Sequence, residues 1–319
     1  MTADLSDNRY NRTLSRNMPK FKLWRYAGFM LSYKCSCRCE FCYYNCSPEK
    51  GGLMTPNIFS ETWQSLKGLA GERASVHITG GEPFLFWDHL EKLLMDSKQK
   101  DMGPVEQIET NGFWGTDEKT VTERVRILNK LGMYKLKISC DPFHQRFIDI
   151  KRLQRLAESA RKVLGPRRVQ IRWEKYYTSP AAGPHTDEDK LNQLYMDSLR
   201  DYPCRYTGRA AGRIAELAGQ VPLESLQGRN CRRSFLGAKG VHIDPFGNVF
   251  SGTCSGIILG NTRQKPLRQI WLDFHPQNNH LIETLITEGP YGLLAEAERH
   301  GFRPRKTYAD KCHLCTKIR

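Results

Sequence analysis

The sequence predicts an α/β protein in two units, and three observations carry the prediction. Between Phe21 and residue 214, six strand candidates alternate with about five helix candidates, which argues for parallel strands joined by crossover helices. Near residue 215 the grammar changes to a β-hairpin followed by helices, in a smaller second unit. The chain has 319 residues, 39% of them hydrophobic and 26% charged, enough to build a core for one large domain or two modest ones.

The first twenty or so residues are polar and basic (Arg9, Arg12, Arg16, Lys20) and lack periodicity, so residues 1–21 read as a loosely held arm. YAGFMLS (26–32) is a strand candidate that runs directly into a group of cysteines. NIFSETWQSLKGLAG (57–71) has helical spacing, with Phe59, Trp63, Leu66 and Leu69 on one face. SVHIT (75–79) is a short apolar strand ending in GGEP, and WDHLEKLLMDSKQK (87–100) is an amphipathic helix. VEQIETNG (105–112) is a strand closed by a turn signal, and KTVTERVRILNKLG (119–132) is a helix with a C-terminal glycine. YKLKIS (134–139) and RVQIRWEKYY (168–177) read as strands flanking a helix at 147–165. A helix at 187–202 then leads to a last strand candidate, CRYTGRAAGRI (204–214). Right-handed crossovers turn this pattern into an open sheet or a barrel, complete or partial, and it stops short of the eight units of a closed barrel. Beyond it, GVHIDPFGNVFSGT (240–253) reads as a hairpin turned by Asp244 to Asn248. Segments 267–274 and 278–301 look helical, the second broken at Gly289-Pro290.

No stretch approaches the roughly 18 apolar residues of a membrane helix. The N-terminus shows no apolar signal region, so a cytoplasmic protein with no membrane partner is expected. Lys plus Arg number 49 against 34 Asp plus Glu, a net charge of +15 that suits an anionic substrate, a polyanion or negatively charged centres. Eleven cysteines, five of them between Cys35 and Cys46, point to metal or cluster ligation in a reducing compartment.

Cys35, Cys39 and Cys42 are separated by three and two residues. Three thiolates that close suit one corner of an iron–sulfur cube and leave one iron open for a substrate. A zinc knuckle is the alternative and needs a fourth ligand, from Cys37 or Cys46. The cysteines follow the first strand, on the face where parallel α/β proteins build active sites. On that face the next strand ends in Gly80-Gly81-Glu82-Pro83, where two glycines admit close backbone approach, Glu82 can accept from an ammonium group and Pro83 stiffens the turn.

With these residues the sequence resembles the radical S-adenosylmethionine (radical SAM) superfamily. The resemblance rests on CxxxCxxC at Cys35, Cys39 and Cys42, on Phe41 before the last cysteine and on GGEP. Thr110-Asn111-Gly112 and Ser139 with Asp141 add to it, and it runs from about residue 26 to 214. It implies a partial (β/α)6 TIM-like barrel over 22–214, with a [4Fe–4S] cluster on the three cysteines and SAM at its open iron. The SAM contacts would fall on Phe41, Gly80, Gly81, Glu82, Pro83, Asn111 and Ser139. An electron from the cluster then cleaves SAM to a 5′-deoxyadenosyl radical that takes a hydrogen atom from substrate. A reducing partner such as a flavodoxin or ferredoxin is implied. Arg172, mid-strand in VQIRWE, is either a clamp for the SAM carboxylate or an acidic substrate, or a surface arginine. Glu109, His144 and Glu174 are candidates for orienting substrate or relaying a proton.

Cys231, Cys254, Cys312 and Cys315 flank the hairpin and close the chain with a CxxC. Spacing alone allows a zinc ribbon. The order of cysteine, hairpin, cysteine and CxxC resembles the twitch form of the SPASM extension. It implies a small α+β domain over 215–319 that holds an auxiliary [4Fe–4S] cluster. Cys140 and Cys204 read as buried small side chains, and Cys37 and Cys46 have no assignment. The expected function is radical SAM oxidation of a small-molecule or peptide substrate. Two alternatives remain: RNA as substrate, drawn by the basic run 151–175, and a non-catalytic zinc module.

Overall fold

The computed structural model describes residues 11–14, 20–183, 185–252 and 254–319. Eight strands form one sheet: β1 (Tyr26–Met30), β2 (Ser75–Thr79), β3 (Val105–Thr110), β4 (Met133–Ser139), β5 (Val169–Arg172), β6 (Gly240–Ile243), β7 (Asn248–Ser251) and β8 (Gly260–Asn261). Their order is β8-β7-β6-β1-β2-β3-β4-β5, with β6 and β1 to β5 parallel and the last hairpin antiparallel. Among the described residues the sheet does not close, and β5 and β8 are its edges.

Helices cover one face. They are α1 (Pro56–Ala70), α2 (Trp87–Gln99), α3 (Glu118–Lys130) and α4 (Ile150–Leu164), while α5 (Glu188–Asp201) packs on the turn Pro142–Gln145. Four of the five starts are written in the sequence: Thr55, Asp117, Asp149 and Asp187 accept backbone N–H groups of the first turns, and Pro56 needs no partner at its position. The strand residues under these helices are apolar and buried, among them Phe29, Val76, Ile78, Ile108, Leu136, Ile138 and Ile171. With a two-residue period, the opposite face carries His77, Thr79, Gln107, Glu109, Lys137, Ser139 and Arg172. Alternation in VEQIET, YKLKIS and VQIR therefore marks a polar barrel interior.

Three expectations change. Residues 204–214 are not a strand: they form a 3-10 turn at Gly208–Ala211 and enter a short helix at Arg213–Leu217. The sixth parallel strand is instead β6, the first arm of the hairpin, which pairs with β1. The sequence around 168–177 leaves the sheet after Arg172, because Trp173 turns to φ 62° and Lys175–Thr178 form a helical turn. Finally, the arm is held where it is described. Asn11–Arg12 pairs with Phe21–Lys22, and buried Arg12 donates to the carbonyls of Trp271 and Phe274 at 2.8 and 2.5 Å. Arg9 and Arg16 lie outside the described residues. The helices expected at 267–274 and 278–301 are present as α6 (Leu267–Asp273) and α7 (His280–Thr287), the latter followed by the break at Gly289-Pro290 and a short helix.

Below the sheet's polar rim two imidazoles meet edge to face. His77 stacks on Tyr26 (4.9 Å) and meets His242 edge-on (5.3 Å), while His242 stacks on Phe250 (5.7 Å). Gly28 lies between them, and a Cβ there would sit 2.3 Å from His77 and 2.4 Å from His242. Burial lowers both pKa values, that of His242 to about 3, helped by the neighbouring His77. The folded state therefore excludes protons that the unfolded chain binds below about 6.5, and stability falls as pH drops from 6.5 toward 3. His242 alone is expected to remove about 2 kcal/mol by pH 5. In urea titrations the His242→Phe protein should lose less stability than the wild type between pH 7 and 5.

Candidate functional site

The loop between β1 and α1 carries the first five cysteines, and its shape is set by backbone contacts with the end of β2. Gly81 N–H donates to the Ser32 carbonyl at 2.6 Å and Glu82 N–H to that of Lys34 at 2.9 Å. Cys35 N–H donates to Ser47 O at 3.0 Å. A Cβ on Gly81 would lie 1.9 Å from Lys34 O, so the two loops can meet only through glycine. The close approach expected of this glycine is thus made in part to the cysteine loop itself.

Above the sheet's C-terminal edge, a cleft of about 690 Å³, including its part open to solvent, brings the sequence motifs together. Cys35, Cys39, Cys42, Phe41, Gly80 and Gly81 line it, as do Asn111, Ser139, Glu109, His144 and Arg172. Cys37 and Cys46 line it too. Asn111 donates its side-chain amide to Cys37 Sγ at 3.3 Å and Cys35 Sγ at 3.6 Å. Cys46 N–H donates to Cys42 Sγ at 3.2 Å. Phe41 stacks on Phe143 at 5.0 Å, and the Arg172 guanidinium lies over the Phe41 ring at 5.2 Å. Arg172 thus resolves as a cleft residue.

The candidate carboxylates and imidazole separate. Glu109 accepts from Lys137 at 2.9 Å, Thr79 at 3.0 Å and Gln107 at 2.8 Å. Burial pushes its pKa up, but His77, Lys137 and the hydrogen bonds of Lys137 and Thr79 outweigh that and hold it at about 2. His144 Nδ1 bonds Asp141 at 2.8 Å, and Asp141 also caps the turn Pro142–Gln145. Burial disfavours the imidazolium, yet Asp141 raises the His144 pKa above the usual value. Glu174 is elsewhere: exposed, it pairs with Arg161 at 3.6 Å, because the chain leaves the sheet at Trp173.

Glu82 and Pro83 are buried and do not line the cleft. Glu82 accepts from Phe84 N–H (3.1 Å), Thr110 Oγ1 (2.9 Å) and Asn111 N–H (2.7 Å), tying the end of β2 to the end of β3. Its carboxylate serves the protein's own donors where the sequence suggested an ammonium ligand.

Arg209 escaped the sequence reading. Its N–H donates to Cys42 O at 2.9 Å and its guanidinium to Cys39 O at 2.8 Å and Cys46 O at 2.7 Å. Three carbonyls of the cysteine loop therefore hang on one residue of the segment misread as a strand. A lone arginine in GRAAGR carries no signal of this; only the fold brings it within reach.

The basic run is largely engaged within the protein. Arg152 and Arg155 donate to the carbonyls of Phe113, Gly115 and Thr116, and Arg168 to those of Tyr134 and Met133. Lys162 and Lys175 pair with Glu118 and Asp201.

Cys231, Cys254, Cys312 and Cys315 line a second, smaller cavity with Lys311 and Arg319. The last two cysteines ride on α8 (Lys311–Ile318), whose N-cap is Asp310, and Arg205 reaches Cys254 Sγ at 3.9 Å. Four thiols from three parts of the chain, with Lys311, Arg319 and Arg205 beside them, are a donor set suited to an anionic cluster. Cys140 is fully buried, as a small apolar side chain would be. Cys204 is partly buried. Among the described residues, no three His, Cys, Asp or Glu side chains are grouped as ligands of one ion would be; the thiols ring cavities.

Residues 30–166 match the Radical SAM superfamily. YydG of Bacillus subtilis (strain 168), by name a peptide biosynthesis protein, is 25% identical over 213 residues, which cover 65% of this chain and 59% of YydG. The crystal structure of BtrN in complex with AdoMet and 2-DOIA is similar over 84% of this chain and 89% of BtrN, with a TM-score of 0.52 and 16% identity, a likeness of fold. No described helix is long and apolar enough to cross a membrane.

Proposed function

Because residues 30–166 are a radical SAM domain, we propose that the protein is a peptide-modifying radical SAM enzyme with two clusters. Cys35, Cys39 and Cys42 would hold a [4Fe–4S] cluster with SAM at its open iron, which together supply a 5′-deoxyadenosyl radical. Cys231, Cys254, Cys312 and Cys315 would hold the second cluster, in the C-terminal segment 215–319, whose strand β6 also completes the sheet of β1 to β5. The observation that carries this reading is the convergence of the three cysteines, Gly80-Gly81, Asn111 and Ser139 on one cleft. A peptide substrate is supported by the likeness to YydG.

The chain's own groups divide the work. Gly80 and Gly81 offer bare backbone to the methionine end of SAM, Ser139 a hydroxyl and Arg172 a fixed cation for its carboxylate. Phe41 supplies a flat apolar wall for the adenine. Glu109, anionic and braced by Lys137, and His144, held by Asp141, face the same cleft and would orient the substrate's polar groups. A flavodoxin or ferredoxin would deliver the electron.

The protein reconstituted without oxygen should hold roughly eight irons and eight sulfides per chain. A Cys35/Cys39/Cys42→Ala protein should lose about half of the iron and all formation of methionine and 5′-deoxyadenosine. With a deuterated peptide substrate, mass spectrometry should find deuterium in the 5′-deoxyadenosine. Stoichiometric zinc without sulfide overturns the cluster reading, and turnover of RNA in place of peptide overturns the substrate.

A further inference from the structure

The first loop offers five thiols where three suffice, and the two extra ones sit differently. Cys46, also buried, has its N–H on Cys42 Sγ and its carbonyl on Arg209, and its thiol is paired with that of Cys42. Cys37, only 2% exposed, lines the cleft beside Asn111. Its thiol is within hydrogen-bonding reach of those of Cys35 and Cys39, and Asn111 donates to its sulfur at 3.3 Å. A thiol held between two cluster ligands and against a residue assigned to SAM competes for the place SAM needs.

We propose that Cys37 is an exchangeable fourth protein ligand of the cluster, occupying the open iron until SAM displaces it. This rests on the reading that Cys35, Cys39 and Cys42 hold that cluster. The exchange moves no electrons. The iron–sulfur bond to Cys37 breaks, donors of SAM take the position, and the released thiolate collects a proton from solvent while the Asn111 amide keeps the sulfur in place. The device closes the reactive iron to oxygen and adventitious ligands when no SAM is present. It also weakens SAM binding, since only the uncapped fraction is competent.

The test uses the full-length, reconstituted protein, without SAM and without substrate. Under mild oxidation a cluster with an unprotected iron loses it and gives the electron paramagnetic resonance signal of a three-iron cluster. Wild type should resist this conversion, while Cys37→Ala and Cys37→Val, loaded to the same iron content, should convert. Both variants should also bind SAM about tenfold more tightly, and imidazole should perturb the spectrum of their reduced clusters but not that of wild type. Ready conversion of wild type, at a rate equal to that of the variants, overturns the proposal and leaves the three-cysteine cluster standing. Protection lost in Cys46→Ala but kept in Cys37→Ala overturns it as well. If wild type holds no cluster on the first loop, the parent reading falls with it, which iron counting in the Cys35/Cys39/Cys42→Ala protein distinguishes.

Discussion

The Gly81→Ala protein is expected to lose the first cluster, about half of its iron, although no cysteine has been touched. The methyl group would be built 1.9 Å from the Lys34 carbonyl oxygen and 2.4 Å from its carbon. Both are backbone atoms, so no rotamer relieves the contact. Lys34 also accepts from Glu82 N–H, and Gly81 N–H bonds Ser32 O, so the clash falls on the two hydrogen bonds that dock the cysteine loop. Moving the loop away leaves these buried groups unpaired, at about 1 to 3 kcal/mol each, and pulls Cys35 out of line with Cys39 and Cys42. Gly51→Ala, where an added Cβ meets nothing within 4 Å, is the control and should keep full iron. Iron and sulfide counts on the two reconstituted proteins decide the matter. Equal loading would mean that the turn after β2 does not position the cysteines.

Much of this site was legible because its elements are local. CxxxCxxC follows a strand, GGEP ends the next strand, and Asn111 and Ser139 end two more. Parallel strands put all four loops on one edge, so finding the strands placed the cleft. The errors came from distance and from burial. The segment 204–214 offers Tyr206, Thr207 and Ile214 to a strand reading, but Arg209 contacts carbonyls of a loop some 165 residues earlier, which no local pattern records. The sixth parallel strand was mistaken for part of an independent hairpin, since register with β1 is a tertiary fact. Glu174 continued the strand's alternation on paper, and the left-handed turn at Trp173 ended that strand two residues too soon for it.

Glu82→Ala should be the most damaging single change away from the cysteines, through stability first and the site second. Its two oxygens satisfy Phe84 N–H, Thr110 Oγ1 and Asn111 N–H in a fully buried position. Removing them strands three donors, and even with incomplete additivity a loss of at least about 3 kcal/mol is expected in urea unfolding. Glu82→Gln keeps one acceptor but turns an amide toward a backbone N–H, which should cost about 1 to 2 kcal/mol. The two forms differ further in pH dependence. Burial pushes the Glu82 carboxyl up to about 7 against the donors and His144 that favour its anion. A carboxyl raised in the folded state contributes stability below its unfolded value near 4.5 and loses it as pH rises through 7. Because glutamine does not titrate, the penalty of Glu82→Gln should shrink steadily between pH 4.5 and 7. A constant penalty across that range would mean that the carboxyl ionises as it does in water. Since the same side chain fixes Asn111, whose amide touches Cys35 and Cys37, Glu82→Ala should also weaken SAM binding. That loss should be shared by Asn111→Ala and should not add to it in the double variant.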